Sequence, residues 1–245
     1  MLRRTAFATL TSLALATASF AATAADQVFS NTAAILIPGA GSVGPANPYP
    51  SNIAVSGVTG NVTAVKVTLT NLSHTYPDDI DIILQAPSGQ QMLLMSDSGG
   101  VSTISNVTLQ FSSAAGSSLA DSGQIVSGTY LPTNFDTTTT EAISNTDLTI
   151  FNGPATGANG VWSLFVVDDV GGDVGAMNGG WTLNISDAPD TTCASEGYIG
   201  AKLTWCKNIC ENGLTGQVLD TWIHRWISRY RVLPYCAVED EGQPE

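Results

Sequence analysis

From Val28 to Ser186 the chain runs in a two-residue period, and that confines it to β structure. Val65, Val67 and Leu69 alternate with Lys66, Thr68 and Thr70, and Ile80, Ile82 and Leu84 with Asp79, Asp81 and Ile83. Trp162, Leu164 and Val166 alternate with Ser163 and Phe165, and Trp181, Leu183 and Ile185 with Thr182, Asn184 and Ser186. A strand with one core-facing side requires this period, because successive side chains point to opposite faces. Ile53–Val55, Gln91–Met95, Val107–Phe111, Ile125–Leu131 and Leu148–Phe151 are further strand candidates. Turn chemistry separates them: Pro87-Ser88-Gly89, Ser98-Gly99-Gly100, Gly171-Gly172 and Gly179-Gly180. Many short strands between such turns predict a mostly β fold, a sandwich or barrel.

The period changes near the C-terminus. After a short polar linker expected at residues 187–192, Leu219, Trp222, Ile223, Trp226, Ile227 and Tyr230 recur at intervals of three and four, one apolar helical face. Thr215 is placed to cap this helix and Pro234 to end it. A shorter helix is expected near Ala201–Cys210, with Asn212-Gly213 turning the chain. All four cysteines, Cys193, Cys206, Cys210 and Cys236, fall in this tail, residues 193–236. An even number in an exported chain reads as two disulfides, and the alternative, a zinc site, lacks a matching ligand spacing. In an antiparallel hairpin Cys236 returns toward the start of the first helix, which favours Cys206–Cys236 and Cys193–Cys210 among three connectivities. So small a unit needs such staples. Residues 239–245 are acidic and lack apolar content, and residues 237–245 read as a disordered end.

Residues 1–24 read as a signal peptide: Arg3 and Arg4, an alanine-rich apolar run, then Ala22-Thr23-Ala24 as the cleavage site. The expected location is secreted or periplasmic. From Asp26 to Asp190 there is one basic residue, Lys66, against fourteen acidic ones. A field of that sign repels nucleic acid and anionic lipid, and favours cations where carboxylates converge.

Two segments carry a more specific signal. Ser73-His74-Thr75-Tyr76-Pro77-Asp78-Asp79-Ile80-Asp81-Ile82-Ile83-Leu84 leads to Ala86-Pro87-Ser88-Gly89. Later come Gly160-Val161-Trp162-Ser163-Leu164-Phe165-Val166-Val167-Asp168-Asp169 and Asn178-Gly179-Gly180-Trp181-Thr182-Leu183. In order and separation they resemble the two halves of a P domain (P/Homo B domain), the module that follows the catalytic domain in proprotein convertases and many secreted bacterial proteases. The resemblance covers roughly residues 28–186 and implies a jelly-roll-like β-sandwich. One extra glycine between Asn178 and Trp181 departs from the family pattern and suggests a bulge. In the family the domain packs on a subtilisin-like catalytic domain and stabilises it. That partner is not expected within this chain: its only histidines are His74 and His224, and it has neither a Gly-x-Ser-x-Gly elbow nor a His-Glu-x-x-His motif. Peptidase activity is therefore not carried over.

The site candidates are Asp78, Asp79 and Asp81 with Asp168, Asp169 and Asp173, a carboxylate set suited to calcium, the one cofactor the sequence suggests. The competing reading is that aspartates at strand ends cap turns. His74 reads as a structural residue, Trp162 and Trp181 as core. On the tail helix, Trp222, Arg225, Trp226 and Arg229 form a candidate partner surface, with contact to an anionic membrane as the lesser alternative. The functional expectation is a non-catalytic module that binds or stabilises a protein partner, such as an exported protease on a separate chain, with no role in nucleic-acid binding. A surface adhesion or carbohydrate-binding sandwich is the alternative.

Overall fold

A computed structural model of the protein describes residues 25–135, 143–188 and 192–237. The expected signal peptide and all of the expected acidic end except Ala237 lie outside the described residues.

Among the described residues thirteen strands build the larger part: β1 (Ala25–Asn31), β2 (Ile35–Ile37), β3 (Gly44–Pro45), β4 (Ser51–Val55), β5 (Asn61–His74), β6 (Ile80–Gln85), β7 (Gln91–Ser96), β8 (Ile104–Ser112), β9 (Gly128–Tyr130), β10 (Thr133–Asn134), β11 (Gly160–Asp168), β12 (Gly175–Met177) and β13 (Trp181–Ala188). They form two sheets facing one core. The first sheet holds β1, β2, β5, β8, β9, β12 and β13; the second holds β3, β4, β6, β7, β10 and β11. The chain passes between the sheets every two strands or fewer, so each sheet is assembled from distant parts of the sequence. This is a jelly-roll-like β-sandwich.

The alternation seen in sequence is the alternation of burial. Val65, Val67, Leu69, Ile80, Ile82, Leu84, Trp162, Leu164, Val166, Trp181, Leu183 and Ile185 all lie in the core. Each tryptophan removes on the order of 200 Å² from water, roughly 5 kcal/mol before the entropy of ordering it. Their indole N–H groups are satisfied: Trp162 Nε1 donates to Ala158 O at 2.8 Å and Trp181 Nε1 to Ser51 Oγ at 3.0 Å.

β5 is the spine. β8 pairs with one edge, and β12 and β13 pair with it in succession as β13 opposes Leu69 and β12 opposes Leu72. Met177 faces Leu72 and Trp181 faces Leu69, so three residues, Asn178, Gly179 and Gly180, span the gap that Thr70 and Asn71 span opposite. The extra glycine is a bulge. Gly180 has φ +65°, and a Cβ there would sit 2.0 Å from Asn31 O. Only glycine fits.

Leu148–Phe151, expected as a strand, is a 3-10 turn. The Asp147 carboxylate accepts from Thr149 N at 2.9 Å and Thr149 Oγ1 at 2.7 Å, and this local bond wins over sheet pairing. Of the expected strand Ile125–Leu131, Gly128–Tyr130 forms a strand and Leu131 adds an isolated bridge to Ser118. Asp187, expected in the linker, is inside β13. Its buried carboxylate accepts from Gln27 Nε2 at 3.2 Å, Thr59 N at 3.2 Å and Gly60 N at 3.1 Å.

The tail has its own core. α1 (Gly200–Cys210) and α2 (Gly216–Tyr230) pack through Cys193, Cys206, Ile209 and Trp226, flanked by Tyr198, Leu203, Trp205, Leu219, Trp222, Ile223, Tyr230 and Tyr235. Thr215 holds the N-cap position of α2 without a side-chain cap bond, and the helix ends before Pro234, at left-handed Arg231 with φ 61°. No helix among the described residues is long and apolar enough to cross a membrane.

Candidate functional site

The two aspartate clusters meet at one end of the second sheet. A 3-10 turn, Pro77–Asp79, leads into β6, whose first residue, Ile80, pairs with Asp168 at the end of β11. Asp169 N donates to Asp79 O at 3.0 Å, which ties the two chain segments together. From the opposite sheet His74, last residue of β5, reaches across: Nε2 lies 3.2 Å from Asp168 Oδ2 and Nδ1 lies 2.8 Å from Tyr76 O. A carbonyl can only accept, so the short contact puts a proton on Nδ1, despite the longer 3.3 Å approach of Tyr76 N–H.

His74 and Asp168 are buried, and Asp168 Oδ1 has no hydrogen-bond partner. Burial raises the Asp168 carboxyl above the usual range against the opposing pull of His74 and, more weakly, of the Val170 backbone N–H. Asp79 is pushed up to about 6, first by burial and then by the charges of Asp168, Asp173, Asp169 and Asp78. Asp173 accepts from Thr75 Oγ1 at 2.7 Å, and Asp169 is exposed.

The sequence grouping is only partly reproduced. Asp78 turns to a different loop, where its Oδ1 accepts from Gly100 N at 3.1 Å, and its carboxyl is raised by burial and by Asp97 and Asp121. Asp81 lies within β6 opposite Val167. Among the described residues no three carboxylates bring oxygens within 4.8 Å of one another; the one metal-type cluster that tight is the sulfurs of Cys193, Cys206 and Cys210, all in disulfides. The His74–Asp168 link spans 94 residues, and nothing in the local sequence of either residue announces it.

In the tail the disulfides are Cys193–Cys206 and Cys210–Cys236, which corrects the expected pairing. The left-handed turn at Arg231 reverses the chain after α2, and the next residues run back along α1 to its C-terminal end, where Cys210 waits. Cys193 is held at the same end, its N–H donating to Glu211 Oε1 at 2.6 Å. Of the expected partner surface, Trp226 is fully buried, because it shares the inner face of α2 with Leu219, Ile223 and Tyr230. Trp222 is half-buried against Trp205, with the Arg225 guanidinium 5.2 Å from its ring centre. Arg225 and Arg229 are exposed.

A known enzyme shares part of this sequence. Over 152 residues the chain is 30% identical to leupeptin-inactivating enzyme 1 of Streptomyces exfoliatus. The match covers 62% of this chain and 25% of that protein, so the chain spans about a quarter of the length of the relative. No family model matches the chain. No solved structure matches it either.

Proposed function

We propose that the protein is an exported, non-catalytic β-sandwich of the P-domain type that binds and stabilises a peptidase carried on a separate chain. The observation that carries this reading is the state of His74. A hydrolytic centre needs a base free to take a proton, yet this histidine is buried with both ring nitrogens engaged inside the fold. His224 sits exposed on the tail helix. The two disulfides suit an oxidising compartment. Trp222, Arg225 and Arg229 supply an aromatic and cationic contact surface, the residue types enriched where partners bind.

The test is the thermal-inactivation half-life of exported peptidases from the same source, with and without the purified protein. A longer half-life for one of them, reduced by Arg225→Ala/Arg229→Ala, supports the reading. No effect on any peptidase that co-elutes with the protein refutes it. The relative's name favours a second reading, an enzyme in its own right. Peptide hydrolysis by the pure protein that His74→Gln abolishes without unfolding it establishes that alternative.

A further inference from the structure

We infer that Asp168 and Asp79 are the protein's anchors for one calcium ion, held where the end of β11 meets the start of β6. The first observation is Asp168 Oδ1. Its residue is 0% exposed, the other carboxylate oxygen is taken by His74, and the one further donor near the carboxyl, the Val170 backbone N–H, does not reach hydrogen-bond geometry with Oδ1. A buried carboxylate oxygen without a donor is costly, and a cation is one of the few ligands that satisfies it.

The second observation is the missing counter-charge. Asp79, 5% exposed, lies within reach of the charges of Asp168, Asp173 and Asp169, and less strongly of its neighbour Asp78. Among the described residues of the sandwich Lys66 is the one Lys or Arg. It stands eight residues from His74 along β5, roughly 26 Å away at about 3.3 Å per residue. That exceeds the screening length of about 8 Å at physiological salt several-fold. Among the described residues of the sandwich no Lys or Arg stands near this end, and the one imidazole there, His74, faces Asp168.

The donor set selects the ion. Both nitrogens of His74 are engaged, so no imidazole is open to zinc or copper. What remains is carboxylate and backbone oxygen on a turn, Asp168 to Asp173, that contains Gly171 and Gly172. Hard oxygen donors on an irregular loop suit calcium, which tolerates variable geometry, better than magnesium, which demands an octahedron. His74 then orients the ligating carboxylate through its second oxygen, as outer-shell partners do at metal sites. Asp78 is outside the set, since it serves Gly100.

The test uses the protein alone, so it can fail or succeed independently of the partner reading. Chelator-treated protein is titrated with calcium chloride by calorimetry, and thermal unfolding is followed in parallel. Saturable binding of about one calcium per chain with a dissociation constant below about 1 mM is expected, the range of extracellular calcium modules. At 100 times that constant the folded-to-unfolded ratio rises about 100-fold. Asp79→Asn and Asp168→Asn each weaken binding at least about tenfold, or 1.4 kcal/mol, while the adjacent Asp78→Asn stays near wild type. Wild-type protein without saturable uptake below about 10 mM calcium overturns the inference. So does equal stabilisation by magnesium, or equal loss in Asp78→Asn and Asp79→Asn. If Asp168→Asn does not fold, the contrast between positions 78 and 79 decides.

Discussion

Replacing Asp187 with alanine removes a clamp that joins three parts of the first sheet. The carboxylate of Asp187 accepts from Gln27 on β1 and from Thr59 and Gly60 in the turn before β5, and it is nearly buried. Hydrogen bonds to a charged acceptor contribute about 1.5–3 kcal/mol, and an orphaned buried N–H costs about 1–3 kcal/mol. The bonds share one acceptor group near the sheet edge, so the lower part of that range applies. Asp187→Ala is expected to cost about 2–3 kcal/mol, a fall of about 4–12 °C in Tm for a chain of this size. Asp187→Asn keeps one acceptor oxygen and falls in between. The pH dependence follows from the same bonds. The backbone N–H of Gly60 first, then Gln27 and Thr59, hold the Asp187 carboxyl below its usual 3.8. A depressed carboxyl stabilises the fold above the unfolded value and loses that contribution as pH falls through the folded one. The gap between wild type and Asp187→Ala is therefore full at neutral pH and narrows below about pH 4. Urea unfolding followed by tryptophan fluorescence at several pH values measures it. A gap under about 0.5 kcal/mol at pH 7, the range of an ordinary surface substitution, refutes the clamp. A gap that does not change with pH refutes the charge's part in it.

Other perturbations probe the rest of the molecule. Gly180→Ala forces a Cβ against Asn31 O at a left-handed backbone position, and a loss of more than about 2 kcal/mol in chemical unfolding is expected. Removing either disulfide, by Cys193→Ser/Cys206→Ser or Cys210→Ser/Cys236→Ser, costs the tail about 3 kcal/mol, read as lost helical circular dichroism while the β signal stays. Peptide mapping under non-reducing conditions shows Cys193 linked to Cys206; a fragment joining Cys206 to Cys236 contradicts the tail's geometry. Trp226→Ala, which empties the centre of the tail core, costs about 3–5 kcal/mol there, whereas Arg229→Ala leaves thermal stability within about 0.5 kcal/mol.

The sandwich was legible because each strand writes its own burial in a period of two. Val65-Lys66-Val67-Thr68-Leu69 needs no knowledge of its neighbours to declare a core-facing side. The departures occur where a local or distant bond overrides that period. Leu148–Phe151 has strand-like composition, but the Asp147 cap turns it. Asp187 sits in a polar run that reads as linker, and its partners lie 127 to 160 residues away. The aspartate clusters were identifiable, but the split that sends Asp79 to Asp168 and Asp78 to Gly100 depends on a 3-10 turn whose phase the sequence does not state. The disulfide pairing turns on left-handed Arg231, and arginine gives no warning of that conformation.

The central position of β5 has a kinetic consequence. Val67 pairs with Phe111 on one side and Leu183 on the other, and Leu183 in turn pairs with Phe29. The strand that joins β1 to β5 is thus the last one made, and until it emerges the first sheet has an open gap at its centre. Such non-local pairing makes folding slow, because loop closure precedes any return in contacts. A nascent chain of this topology cannot close its first sheet until Trp181–Ala188, far along its length, has been synthesised.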